Sequence, residues 1–175
     1  LSAQTNVAWV SNNPKKSFNI NFFFTINFFK KVIKKQARLI YLSSAEVFNG
    51  KKGFYHEKST PKPVNIYGKT KHEVEKFLIK SKYRNFQIVR TGGNINMSND
   101  YKCMIKDTYL TLLKNNAKMA SDNFFTITHV NDFNKAIFKL IKKDINKKFL
   151  HIASNEVITR IKFANLIIKY SKNKK

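Results

Sequence analysis

The hydrophobic positions of this chain follow two periods, one typical of helices and one typical of buried strands. From Asn13 to Lys35 apolar side chains recur every three or four residues, which is the helical period. The opening Asn12-Asn13-Pro14 suits a helix cap followed by proline in the first turn. The next run, Arg38 to Ser43, is short and almost continuously apolar, as in a strand covered on both faces. The pattern therefore predicts a helix followed by a buried strand.

The same alternation continues along the chain. A polar loop from Ala45 to Asn65 precedes a helix from about Tyr67 to Lys82, and a second strand at 86–90 ends in the loop Thr91-Gly92-Gly93. Further helices are predicted over 101–116, 130–143 and 159–170, and short strands over 124–127 and 149–152. Strands that alternate with helices at these lengths predict an α/β fold with a parallel sheet.

The composition indicates an ordinary globular chain with an unusual charge. It has 175 residues, of which 42% are hydrophobic, so a core and at least one domain are expected. The net charge of +24 raises the possibility of a nucleic-acid partner. However, only four of the 34 basic residues are Arg, and the Lys residues are spread along the whole chain. Recognition of phosphates and bases favours Arg, so no nucleic-acid partner is predicted.

The cysteine, the longest apolar window and the histidines bear on the cellular location and on possible membrane or metal partners. Cys103 is the single cysteine, which excludes an internal disulfide and favours a reducing, cytoplasmic location. The most apolar window, Phe22 to Phe29, is far shorter than the roughly 20 residues of a membrane span, so no membrane partner is predicted. No metal site is predicted either, because the four histidines are scattered: His56, His72, His129 and His151.

Candidate chemistry lies where the first strand ends and the next helix begins. Ligands of parallel α/β sheets bind at the carboxyl ends of the strands, and the first strand ends on Ser43-Ser44. Tyr67 and Lys71 are four residues apart on a helix, which places both on one face. A second Tyr-Lys pair at the same spacing, Tyr170 and Lys174, has no nearby Ser strand end and is interpreted as chance.

These residue types suit the reduction of a ketone. The reaction needs an acid that protonates the carbonyl oxygen, and a free Tyr has a pKa near 10. A nearby Lys ammonium stabilises the phenolate, and a Ser hydroxyl holds the carbonyl oxygen in line. The spacing is equally compatible with a Tyr67 that only packs at the start of the helix and a Lys71 in solvent, so it leaves both interpretations open.

The motifs together resemble the dTDP-4-dehydrorhamnose reductases, a family of extended short-chain dehydrogenases. The resemblance is carried by the run from Leu39 to Gly50, by Phe54-Tyr55-His56-Glu57, and by Tyr67-Gly68-Lys69-Thr70-Lys71. It implies a partial Rossmann-like, doubly wound parallel sheet over residues 1–92 and a smaller substrate-binding portion over 93–175. It also implies that Ala3 with Thr5 ends a further strand, and that the glycine-rich segment of the family's dinucleotide site is absent from this sequence.

The resemblance also implies roles for individual residues. Tyr67 is the expected general acid, Lys71 lowers its pKa and holds the nicotinamide ribose of NADPH or NADH, and Ser44 binds the keto oxygen of a nucleotide-linked 4-keto-6-deoxy sugar. The expected cofactor-lining residues are Ala3, Ser43, Tyr67, Lys71 and Thr91. The expected substrate-binding residues are Ser44, Glu46 and Gly93.

Two departures from the family leave other functions open. Ala45-Glu46 stands where the family has Asp-Tyr, and Gly92-Gly93 stands where it has Ser-Trp. One alternative is an NAD-dependent sugar-nucleotide epimerase or dehydratase. The segment Thr128 to Asp132 slightly favours this alternative. Another is a non-catalytic binding subunit on the same fold, such as the regulatory subunit of methionine adenosyltransferase, and the last is a basic nucleic-acid binder. A homodimer formed through the helices at 13–35 and 67–82 is a further expectation.

Overall fold

The chain divides into two compact units. A computed structural model describes residues 3–96, 104–114, 117–143, 145 and 147–172. The first unit comprises residues 1–91 together with 146–151, and the second comprises 92–145 and 152–175. The chain thus changes units at Thr91, and the late segment 146–151 returns to the first unit. The functional assignment of residues 1–92 and 93–175 stays a prediction.

The first unit contains a parallel sheet of three strands in the order β1-β2-β6. These are β1 (Leu39–Ser44), β2 (Phe86–Thr91) and β6 (Phe149–His151). Leu39 pairs with Phe86 and Ser44 pairs with Thr91, so the polar ends of β1 and β2 are adjacent. Both neighbours of β2 are parallel to it, and all of β2 except Thr91 is buried. The predicted α/β class with a parallel sheet is confirmed.

Helices cover this sheet. They are α1 (Val7–Asn12), α2 (Pro14–Phe18), a π-helical segment (Asn19–Phe24), α3 (Thr25–Lys34) and α4 (Ile66–Lys80). The long helix predicted from Asn13 is therefore interrupted, and α1 occupies a segment for which no helix was predicted. Residues 3–6 lie in no strand, so the expected strand end at Ala3 and Thr5 is not formed.

The core of the first unit lies between helices α3 and α4 and the sheet. Its apolar residues come from α3, α4, β1, β2 and Tyr83 in the connection between α4 and β2. The ring of Phe29 meets the ring of Tyr41 edge-on, with centroids 5.5 Å apart. The cluster consists of Phe29, Leu39, Tyr41, Val74, Leu78, Tyr83, Phe86 and Ile88.

The π-helical segment buries a polar side chain and leaves two aromatic rings exposed. Phe23 and Phe24 are 54% and 62% exposed, whereas Asn21 is 2% exposed. The Asn21 carboxamide accepts from the backbone N–H of Gln4 at 2.8 Å and donates to its carbonyl at 3.0 Å. Because residues 3–6 are not in a strand, this side chain supplies backbone partners that a neighbouring strand would otherwise supply.

The described residues of the second unit form two small sheets and three helices. β3 (Asn94–Ile95) pairs in parallel with β5 (Thr128–His129), and β4 (Phe124–Thr126) pairs antiparallel with β7 (Val157–Thr159). The helices are α5 (Met104–Leu112), α6 (Val130–Lys142) and α7 (Arg160–Lys172). Part of the predicted helix 101–116, including Cys103, lies outside the described residues. β3, β5 and β7 were not predicted, because two- and three-residue strands carry too little periodicity to detect.

Candidate functional site

The end of β1 presents two buried hydroxyls. Ser43 is 4% exposed and Ser44 is 6% exposed. Immediately after them the chain forms a 3-10 turn, Ala45–Val47, which Ser44 caps by accepting the backbone N–H of Glu46 at 3.2 Å. The predicted strand end at Ser43-Ser44 is therefore followed by a tight turn that fixes the backbone around Ser44.

Helix α4 begins directly against this turn. Asn65 caps the helix by accepting the N–H of Gly68 at 2.7 Å, and it donates to the Glu46 carboxylate at 2.6 Å. A Cβ on Gly68 would lie 2.0 Å from the carbonyl oxygen of Glu46, so only glycine permits this approach. Glu46, predicted to bind substrate, is thus engaged with the helix cap in this structure.

Tyr67 lies in the first turn of α4 and reaches Ser44. Burial raises the pKa of the Tyr67 phenol and the negative charge of Glu46 raises it further, whereas a hydrogen bond with the Ser44 side chain lowers it. The net direction is upward, so Tyr67 carries its proton at neutral pH. The structure therefore brings the predicted Ser44 and Tyr67 together, with the phenol in the form of an acid.

Lys71 lies one turn further along α4 and is buried. Its side chain is 7% exposed, and its ammonium donates to the carbonyl oxygen of Leu42 at 3.0 Å. The Nζ atom is 5.1 Å from the ring centroid of Tyr41 and 5.8 Å from that of Tyr67. Burial lowers the pKa of Lys71 to about 8, and the Glu75 carboxylate opposes that decrease.

A buried ion pair that the sequence interpretation missed lies beside this group. The Glu75 carboxylate accepts from Arg90 Nε at 2.9 Å and from Arg90 Nη2 at 2.7 Å, and it also accepts from the Ser43 hydroxyl at 2.6 Å. Glu75 is fully buried and Arg90 is 4% exposed. Glu75 is one of only ten acidic residues in a chain of net charge +24 and follows Lys71 by four positions, which is the signal that could have identified it.

The remaining predicted cofactor and substrate residues are placed as follows. Thr91 pairs in register with Ser44 at the end of the sheet. Ala3 is half-buried and precedes Gln4, whose backbone Asn21 holds. Gly93 belongs to the second unit, where its carbonyl accepts from Thr128 at 3.1 Å and its φ is +60°.

A groove of about 690 Å³ adjoins the ion pair. Glu75 and Arg90 line it together with His56, Glu57, His72 and Phe149, while Ser44, Tyr67 and Lys71 do not.

Tyr41 also lies at the site, and its buried hydroxyl has no hydrogen-bond partner among the described residues. Burial raises the pKa of Tyr41 well above its usual value, so this second phenol is neutral as well.

Two further features are absent from the described part of the chain. None of its helices has the length and apolar character needed to cross a membrane. The described residues also contain no group of three or more His, Cys, Asp or Glu side chains arranged to hold a metal ion.

Comparison with known proteins identifies similar structures over nearly the whole chain. A family model described as the RmlD substrate binding domain matches residues 1–175. A crystal structure of dTDP-4-dehydrorhamnose reductase from Yersinia enterocolitica is 27% identical, with a TM-score of 0.84 over 99% of this chain and 62% of the other. The same enzyme from Bacillus anthracis, in complex with NADP, is 26% identical with a TM-score of 0.83 over 97% of this chain. This chain spans 60% of that protein.

A sequence relative from a different functional class matches a shorter part. The methionine adenosyltransferase 2 subunit beta of Bos taurus is 39% identical over 72 residues, which is 41% of this chain and 22% of the relative. The chain therefore covers less than two thirds of the length of both kinds of relative.

Proposed function

Since this chain belongs to the RmlD substrate-binding domain family, we propose that it contributes the catalytic residues of a nicotinamide-dependent reductase acting on a nucleotide-linked 4-keto-6-deoxy sugar. The observation that carries the proposal is the grouping of Tyr67 with Ser44 and Lys71. Tyr67 hydrogen-bonds Ser44, and the Lys71 ammonium lies 5.8 Å from the Tyr67 ring. An acid, an orienting hydroxyl and a buried cation are the groups that carbonyl reduction requires.

The residues present fit a nicotinamide cofactor. When bound, NADPH or NADH supplies the hydride. The Lys71 ammonium has three N–H donors, and the bond to Leu42 uses one of them. The others suit the hydroxyls of a ribose, and the adjacent ends of β1 and β2 at Ser44 and Thr91 form the strand edge at which such ligands bind. Ala3 and Ser43 complete the proposed lining.

The electrostatics of the site keep the proposed proton donor in its protonated form. Tyr67 keeps its proton at neutral pH because burial raises its pKa. As the carbonyl oxygen of the sugar becomes negative, Tyr67 gives up that proton, and the Lys71 ammonium stabilises the resulting phenolate. Ser44 donates a hydrogen bond to the same oxygen and keeps it in line with Tyr67. Glu46 is proposed to contact the sugar nucleotide, and substrate binding by Gly93 stays a prediction of the family resemblance.

Activity of the Tyr67→Phe variant tests the proposal in the complete gene product. We expect NADPH consumption with a dTDP-linked 4-keto-6-deoxy sugar to fall by about 10²-fold or more, because the proton donor is lost. Tyr170→Phe is the matched control, since Tyr170 has the same Tyr-Lys spacing but is 64% exposed, and it should keep wild-type activity. Sugar conversion without a net change in nicotinamide absorbance would instead favour the hypothesis of an epimerase or dehydratase.

A second candidate is a binding subunit, which the similarity to methionine adenosyltransferase 2 subunit beta supports. This function needs a partner surface and no proton donor. It predicts that the complete gene product co-migrates with a purified methionine adenosyltransferase in size-exclusion chromatography, and that Tyr67→Phe leaves this complex intact. Absence of both NADPH consumption and co-migration would contradict both candidates.

A further inference from the structure

Glu75 interacts with both strands whose ends form the site, although it is not one of the three predicted catalytic residues. Its carboxylate bonds both Arg90 on β2 and Ser43 on β1, while Glu75 itself lies on α4 one turn after Lys71. A single buried side chain thus joins the three elements that carry Ser44, Lys71 and Thr91. We propose that Glu75 is a positioning residue, an inference that rests on the proposed function. Its role is to hold the Lys71 ammonium and the Ser43-Ser44 strand end in the arrangement that carbonyl reduction requires.

Arg90 is held in one place and therefore fixes the carboxylate. Its guanidinium carbon lies 5.0 Å from the ring centroid of Phe48 and 4.6 Å from that of Phe149, so it contacts rings from the loop after β1 and from β6. Its Nε and Nη2 atoms each donate a hydrogen bond to a different oxygen of the Glu75 carboxylate. A bidentate pair of this kind has a defined geometry as well as a favourable energy.

The charge of Glu75 also acts on Lys71. The titratable groups facing the Lys71 ammonium are the neutral phenols of Tyr41 and Tyr67 and the Glu75 carboxylate. The Glu75 carboxylate favours the protonated lysine, against the burial that disfavours it. Without it, the buried lysine loses charge near neutral pH, and a neutral amine cannot stabilise a phenolate.

The test uses a variant that removes both charges of the pair. Replacing Glu75 alone leaves Arg90 buried and unpaired, whereas replacing both members by neutral residues avoids that penalty. We therefore choose the double substitution Glu75→Gln with Arg90→Gln. Glu73→Gln is the matched control on the same helix, because Glu73 forms an exposed pair with Lys76 at 2.6 Å.

Two readouts separate positioning from simple stability. Trace labelling with acetic anhydride across pH, followed by mass spectrometry of the Lys71 peptide, reports the pKa of Lys71 without using activity. In the double variant we expect this pKa to fall from about 8 to about 7. We also expect kcat for the sugar to fall about tenfold or more while KM changes less than about twofold. Glu73→Gln should change neither readout.

The possible outcomes test the role of Glu75 and the proposed reductase function separately. A folded double variant with wild-type Lys71 titration and wild-type kcat overturns the role of Glu75. A shifted titration in a protein whose wild type consumes no NADPH keeps the role of Glu75 and removes the reductase function. If the double variant does not fold, Glu75→Asp serves instead, because it keeps the charge but withdraws it from Arg90 and Ser43. We then expect kcat about tenfold lower, and wild-type kcat would overturn the proposal.

Discussion

At the scale of single residues, the site brings the buried Lys71 ammonium close to two neutral phenols and to the buried Glu75–Arg90 ion pair. Tyr67 and Lys71 were predicted from their spacing together with the preceding Ser-Ser strand end and the family resemblance, and their shared face of α4 follows directly from helix geometry. Glu75 was not predicted, although its spacing of four residues from Lys71 was a usable signal. Tyr41 was not predicted because its place at the site depends on tertiary contacts that no local spacing reveals. The predicted effect of Lys71 on the pKa of Tyr67 stays a prediction, since burial, Ser44 and Glu46 are the causes the structure records.

The lowered pKa of Lys71 predicts a specific pH dependence of stability. Unfolded Lys71 keeps its proton to above pH 10, whereas folded Lys71 releases it at about 8. Between these values the unfolded state binds more protons, so raising the pH favours the folded state. Relative to Lys71→Met, the wild type should gain free energy of unfolding on the order of 2 kcal/mol between pH 7.5 and about 9.5.

Urea unfolding of both proteins across this pH range measures the difference. Comparing it with Lys71→Met removes the contributions of other titrating groups, including the two buried tyrosines. A constant difference between the two proteins at all pH values would contradict a Lys71 pKa near 8.

At the scale of elements, the approach of α4 to the turn after β1 assembles the site. The sequence predicted α4 and β1 to within two residues at every end, because β1 is an almost continuous apolar run and α4 follows a loop with clear turn signals. It did not predict the break in the first helix, because the apolar positions keep the helical period across the break. The predicted homodimer through this region stays a prediction, although the exposed rings of Phe23 and Phe24 are consistent with it.

Gly68→Ala tests the close approach directly. The added methyl would lie 2.0 Å from the Glu46 carbonyl oxygen and 3.1 Å from Pro63 Cβ, so the start of α4 must move. We expect a loss of about 3 kcal/mol in the free energy of unfolding, measured by urea denaturation. Lys69→Ala, an exposed change in the same helical turn, should alter stability by less than about 0.5 kcal/mol. Equal stabilities of the two variants would contradict the described packing.

At the scale of the whole molecule, family membership and fold were both predicted correctly from the sequence. The motifs around Ser44 and Tyr67 carried the family prediction, and the family match over residues 1–175 confirms it. The division into units was less accessible, because the return of segment 146–151 to the first sheet is a long-range pairing of β2 with β6. No local pattern specifies which strand a three-residue segment will join.

The net charge of +24 predicts a salt-dependent stability. Repulsion among surface lysines opposes the compact state, and added salt screens it. Thermal unfolding should therefore occur at a higher temperature in 0.5 M than in 0.05 M NaCl. If the basic surface instead served nucleic acid, affinity for a random DNA duplex would be appreciable and would fall steeply with salt. Unfolding that is independent of salt would contradict the repulsion argument.

The central claim is that Tyr67, Ser44 and Lys71 support reduction of a sugar carbonyl, and transfer of deuterium tests it most directly. The complete gene product would be incubated with NADPH deuterated at the reactive C4 position and a dTDP-linked 4-keto-6-deoxy sugar. We predict that the wild type yields a reduced sugar carrying deuterium at carbon 4, detected by mass spectrometry, and that Tyr67→Phe yields almost none. A reduced sugar without deuterium, or equal label from the Tyr67→Phe variant, would contradict the account.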